Sequence, residues 1–339
     1  MKKKCFIKVL AYSILVSLAI VFLSTYLIGS YFIDFALVPN SGGEERTSDK
    51  MNMQNTLKGY EPSDEELQIK IAIAKKDDEA LYSEWIKTIK NNILPVSIYS
   101  KDGLKLVGTE IKHENDINYW VIIVHGYQSS EESSKRIARH YYNRGFNVLT
   151  ISLRSHRESE GKYIGMGFLD KDDLFLWTEY LVKKYPTSSI IYHGTSMGSA
   201  TVLFASSLSL PKNVKAIIAD CGYKNVWDIF ALELKNKFGL PPFPVLYMAD
   251  IMGRIKAGYS IKNANVLEAV KKSQTPILFI HTTSDDFVPV SCAYALYEAC
   301  PAKKELYIVS GANHTQAKYV SMDEYYKKIF DFIWLALED

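Results

Sequence analysis

Residues 193–198 read His-Gly-Thr-Ser-Met-Gly, so Ser196 has a glycine two positions to either side. The apolar run Ser189–Tyr192 leads directly into this segment, and the helix-like run Ser199–Leu208 follows it. A serine in G-x-S-x-G at a strand-to-helix turn stands clear of the sheet on strained backbone, and the glycines let the turn close tightly. The helix that follows points its first N–H groups and its dipole at the same spot, which favours negative charge developing there. That is the chemistry of a nucleophile attacking an acyl carbonyl. The plainer alternative is a small residue in a glycine-rich turn, and the strand–helix junction argues against it.

Such a serine needs a base. On a turn of this kind the acid and then the histidine come from further along the chain. Only His281 and His314 lie downstream of Ser196. His314, in Gly311-Ala312-Asn313-His314, follows the last strand-like run, where a loop carries it over the sheet edge. His281 lies within the end of the preceding strand and suits a structural hydrogen bond. His314 is therefore the expected general base. The loop Ser284-Asp285-Asp286-Phe287-Val288-Pro289 should supply a carboxylate that holds its imidazole in the right tautomer. Asp220, also at a strand end, is the rival acid. The oxyanion needs preorganised donors. The backbone N–H of Met197 is one, and the N–H of Tyr127, after His125-Gly126, is the candidate for the second.

Strands and helices must alternate to position these groups. The segment around Lys101-Asp102-Gly103 reads as a hairpin, since Asp-Gly suits a tight turn. Six apolar runs follow, at 119–126, 146–153, 189–194, 214–220, 276–282 and 305–311, as expected of strands buried on both faces. Helix-length segments at 131–144, 168–185, 197–209, 290–300 and 321–337 lie between or after them. This alternation predicts a mostly parallel, doubly wound sheet with an antiparallel hairpin at one edge. The connection from Asp220 to Pro276 is too long for a simple crossover, and residues 223–272 read as a lid.

The chain has 339 residues and a net charge of +2, which argues against a nucleic-acid partner. Its four cysteines are too few and too scattered for a disulfide framework or a zinc ribbon. His125, His193 and His281 all end strand-like runs, but no H-x-H, HExxH or CxxC pattern accompanies them, so strand-end hydrogen bonding is expected rather than a metal. Lys2, Lys3, Lys4 and Lys8 precede an apolar run over 9–33, with Asp34, Glu44 and Glu45 beyond it. About 20 residues cross a bilayer, and flanking lysines stay on the cytoplasmic side. The expectation is a retained, single-pass anchor with the N-terminus in the cytoplasm and the bulk of the chain outside. The run is too long for a signal peptide, and no A-x-A site follows. Residues 39–62 are polar and read as a flexible stalk. Residues 63–92 read as an amphipathic helical lead-in opened by a capping box at Ser63.

Taken together, the chain resembles the α/β-hydrolase superfamily, and more narrowly bacterial membrane-anchored cell-surface hydrolases of the prolyl-oligopeptidase-like branch. The resemblance covers roughly 93–339. It rests on HGY at 125–127, GKYIGMGFLDKDDLFLWTEYL at 161–181, HGTSMGSATVL at 193–203, ADCGY at 219–223, DDFVPV at 285–290 and GANH at 311–314. It implies a serine hydrolase without metal or cofactor, and its H-x-x-x-D-x-x-V-P spacing selects Asp285 over Asp286. Two departures stand out. Relatives carry D-x-R-G-H-G-x-S where this chain has Ser152-Leu-Arg-Ser-His-Arg-Glu-Ser159, so a differently shaped loop is expected there. The usual His-Gly before the acid loop is His281-Thr282. The expected activity is carboxylic ester hydrolysis by Ser196, Asp285 and His314. The same residues would serve a peptidase or amidase, and a non-catalytic binding module is the alternative from another class.

Overall fold

The computed structural model describes residues 2–40, 63–115 and 118–338, and of residues 2–5 only the backbone. The stalk reading therefore falls almost wholly outside the described residues. Eight strands form one sheet in the order β1-β2-β4-β3-β5-β6-β7-β8. They are β1 (Ile93–Tyr99), β2 (Lys105–Ile111), β3 (Tyr119–Val124), β4 (Asn147–Ile151), β5 (Ser189–Thr195), β6 (Val214–Asp220), β7 (Ile277–Thr282) and β8 (Lys304–Val309). β1 and β2 pair antiparallel at one edge, and β2 joins β4 antiparallel. All pairings from β4 through β8 are parallel. This is the mostly parallel, doubly wound sheet expected from the alternating pattern, and it matches the α/β-hydrolase fold that the resemblance implies.

The continuous apolar runs follow from burial on both faces. Trp120, Ile122 and Val124 of β3 enter one core, while Val121 and Ile123 enter the other. The helices are α1 (Lys2–Leu37), α2 (Glu65–Thr88), α3 (Glu131–Tyr142), α4 (Asp170–Lys184), α5 (Met197–Ala205), α6 (Val226–Phe238), α7 (Val245–Lys256), α8 (Val266–Val270), α9 (Ser291–Ala299), α10 (Ala317–Val320) and α11 (Met322–Glu338). The first core gathers side chains of α4, α5, α8 and α9, and the second those of α2, α3 and α11.

Three local findings refine the sequence reading. The cap of α2 is Asp64, whose carboxylate accepts from the Glu66 N–H at 3.2 Å. Ser63 instead donates to the Gly311 carbonyl at 2.7 Å, which ties α2 to the loop that carries His314. Within the 223–272 connection, Asn225 and Asn265 form an isolated antiparallel bridge, and the Val226 N–H donates to the Ala264 carbonyl at 3.0 Å. These contacts pinch the insertion at its base, and α6, α7 and α8 all send side chains into the first core. Finally, α1 runs four residues past the apolar segment, and Ile33 and Leu37 are fully buried against the domain.

Candidate active site

The strand ends of the parallel sheet bring the expected residues together. Ser196 joins β5 to α5 with φ 57° and ψ −116°, a left-handed φ that a non-glycine residue holds only under strain. The flanking glycines are required by backbone contacts. A Cβ on Gly194 would lie 2.2 Å from the Gly198 carbonyl oxygen, and one on Gly198 would lie 2.1 Å from the Val124 carbonyl oxygen. The Ser196 N–H donates to the Asp220 carbonyl at 2.8 Å, which fastens the turn to β6.

Ser196 Oγ lies 2.8 Å from His314 Nε2, and His314 Nδ1 lies 2.6 Å from Asp285 Oδ2. Three side chains from three strand-end loops thus form one hydrogen-bonded series. Asp285 is held from behind as well. Its Oδ1 accepts from the N–H groups of Phe287 (3.0 Å) and Val288 (2.7 Å), and His281 Nε2 approaches Oδ2 at 3.3 Å. Burial alone would raise the Asp285 carboxyl, but the imidazoles of His314 and His281 outweigh it and hold it well below the usual range. Burial alone would lower His314, yet the Asp285 carboxylate prevails and lifts the imidazole above its ordinary value.

The other acids are placed differently. Asp220 Oδ2 accepts from the Tyr325 hydroxyl of α11 at 2.8 Å. Asp286 is pushed up by burial and by its neighbour Asp285. The strand-end histidines each have separate partners. His193 Nδ1 is hydrogen-bonded to the Tyr141 hydroxyl at 2.9 Å, and burial pushes its imidazole down to about 3. His281 Nε2 donates to the Val288 carbonyl at 2.8 Å. Cys221, His281 and Asp285 do place one ligand-type atom each within 4.8 Å of one another. However, Asp285 is already saturated with donors, and burial pushes the Cys221 thiol well up.

The two residues expected to supply oxyanion donors sit on elements next to the serine. Met197 is the first residue of α5, so its N–H has no partner within that helix. Gly126, just before Tyr127, backs onto the nucleophile, since a Cβ there would lie 3.3 Å from Ser196 Cβ. This loop is fixed by two neutral histidines. His125 Nε2 accepts from the Leu153 N–H at 3.0 Å and its Nδ1 donates to the Gly126 carbonyl at 2.8 Å. His156 Nε2 accepts from the Gln128 N–H at 3.1 Å. Burial, reinforced by His156, pushes His125 down to about 3.

The 152–159 segment therefore buttresses the loop carrying Tyr127, a role the sequence alone did not suggest. Ser155 and Arg157 stand at the two positions where the related pattern has glycine, and both adopt left-handed φ values, 62° and 50°. A paired arginine helps hold this path. Arg154 grips Asp173 through Nε and Nη2 at 2.7 and 2.8 Å and reaches Asp102 at 3.1 Å.

Comparisons with known proteins agree with this architecture. The chain is 31% identical over 214 residues to the uncharacterized protein YqkD of Bacillus subtilis, covering 63% of this chain and 70% of that one. It is 24% identical over 268 residues to the uncharacterized membrane protein YNL320W of Saccharomyces cerevisiae, covering 75% and 87% respectively. Among solved structures, the Pyrococcus furiosus esterase Pf2001 matches with a TM-score of 0.60 and 26% identity, over 73% of this chain and 92% of that one. The sequence profile of the prolyl oligopeptidase family matches residues 136–339. The chain belongs to the prolyl oligopeptidase family and carries its α/β-hydrolase fold.

Proposed function

We propose that this protein is a membrane-anchored serine hydrolase that cleaves a carboxylic ester through an acyl-enzyme. The observation that carries this reading is the unbroken series Ser196 Oγ, His314, Asp285, with links of 2.8 and 2.6 Å. His314 Nε2 takes the Ser196 proton as Oγ attacks the ester carbonyl. The N–H groups of Met197 and Tyr127 hold the oxyanion. The imidazolium, stabilised by Asp285, then protonates the leaving alcohol. Water, deprotonated by the same imidazole, releases the acid and restores Ser196. Side chains and backbone N–H groups cover every step, so the reading calls for no metal or cofactor.

Similarity to an esterase supports an ester substrate. The name of the family supports a peptide bond as the second reading, on the same residues. Anchoring is supported by α1, whose most apolar 18-residue stretch within Phe6–Leu37 has a mean hydropathy of 2.4, and by a relative that is itself named a membrane protein. The positive N-terminal flank supports a catalytic domain outside the cytoplasm.

A cell-impermeant fluorophosphonate tests activity and topology together. It is expected to label wild type on intact cells and to leave Ser196→Ala unlabelled. Labelling only after permeabilisation would put the domain in the cytoplasm, and no labelling of folded protein would overturn the hydrolase reading. Activity should also follow the state of His314. A protonated imidazole cannot accept the serine proton, and the folded value lies above the ordinary ~6.5. The kcat/KM profile is therefore expected to rise with pH through an apparent pKa above ~6.5 and to collapse below it. A profile flat from pH 5 to 9 would exclude His314 as the base.

A further inference from the structure

The end of α1 packs into the domain. Near its end α1 meets α7 backbone to backbone, and a Cβ on Gly29 would lie 2.4 Å from the Met248 carbonyl oxygen. Asp34 pairs with Lys256. The carbonyls left open at the end of α1 are taken by the domain. The Tyr127 hydroxyl donates to the Ala36 carbonyl at 2.6 Å, and the Ile164 N–H donates to the Leu37 carbonyl at 2.8 Å. Tyr127 is the residue whose N–H the hydrolase reading assigns to the oxyanion, and Gly126 before it packs against Ser196.

Between α1 and the α6–α7 insertion runs an apolar cleft lined by Phe32, Phe35, Ala36, Phe230, Leu234 and Val245. One end of it lies beside Tyr127, whose hydroxyl donates to the carbonyl of the lining residue Ala36. The other features point to lipid. Tyr247, Ile251 and Ile255 recur every four residues on α7 and are exposed, as is Phe243 before it. They lie on the helix that α1 grips, and α1 itself is exposed and largely apolar from Phe6 to Leu23. An amphipathic helix with such a stripe beside a spanning helix lies in the membrane interface.

We infer that this cleft holds the long acyl chain of a membrane-resident ester, which reaches Ser196 from the bilayer along α1 rather than from water. The inference rests on the hydrolase reading above and names its substrate class. The reaction is the one already written, with a long-chain acid as the released product.

The test uses the full chain in phospholipid nanodiscs with p-nitrophenyl esters of two to sixteen acyl carbons. Each buried methylene should raise kcat/KM by up to about fourfold until the cleft is full. Val245→Trp narrows the cleft and is expected to lower the ratio of twelve-carbon to four-carbon kcat/KM at least tenfold. Phe230→Ala widens it and should move the optimum to longer chains, so a folding failure in the first variant leaves the second informative. Diluting the twelve-carbon ester in inert phospholipid at constant bulk concentration should slow wild type in proportion to its mole fraction. Equal losses at both chain lengths, an unmoved optimum, or a rate that follows only the bulk concentration would each overturn the inference while leaving the hydrolase reading standing. Absence of turnover on every ester, together with no fluorophosphonate adduct, would instead remove the hydrolase reading itself.

Discussion

Ser196→Ala is expected to lower ester turnover by roughly 10⁴-fold or more, because the proposed acyl-enzyme forms on the lost oxygen. The fold should be untouched. Ser196 Oγ points at His314 rather than into either core, and its removal leaves the strained turn pinned by the Asp220 carbonyl and by the close approach of Gly194, Gly198 and Val124. Stability should therefore change by about 0.5 kcal/mol or less, as for substitutions away from core contacts. Steady-state turnover and thermal unfolding of the same preparation check both halves. Residual activity above a hundredth of wild type, with contaminants excluded, would mean that another group is the nucleophile.

Asp285→Asn is expected to cost about 10⁴-fold in turnover, the size of loss seen when a serine-protease acid becomes an amide. The geometry gives the reason. Oδ1 accepts from the N–H groups of Phe287 and Val288, so an asparagine keeps its carbonyl there and turns its NH₂ toward His314 Nδ1. The imidazole must then carry its proton on Nε2 and can no longer accept one from Ser196. Asp286→Asn, by contrast, should lower turnover less than about tenfold, since its carboxyl is not bonded to the imidazole. Asp220→Asn should fall between them. Its side chain is bonded to Tyr325, but its carbonyl holds the serine turn. Near-normal turnover in Asp285→Asn with a dead Asp220→Asn would move the acid to the end of β6.

Much of this was legible before any coordinates. Strands buried on both faces must be apolar at every position, so β3 to β7 stand out as unbroken runs. Ser196 is conspicuous because its turn tolerates only glycine at 194 and 198. What stayed hidden was of a different kind. An apolar helix has the same composition whether it faces lipid or protein, so nothing local marked Ile33 and Leu37 as buried. A serine followed three positions later by glutamate fits a capping box, but adjacent Asp64 competes for the same N–H groups, and Ser63 found the Gly311 carbonyl instead. A glycine pattern signals left-handed backbone, yet its absence does not forbid it, as Ser155 and Arg157 show. Contacts such as Tyr127 with Ala36 join residues 91 positions apart and leave no periodic trace.

The end of α1 and the start of α2 are fastened to the same body. Leu37 is bonded to Ile164, and Ser63 is bonded to Gly311. Gly29 packs against the Met248 carbonyl of α7, and Asp34 pairs with Lys256. The last turns of α1 are therefore set into the domain like a post into its socket. The helix is mounted, not tethered.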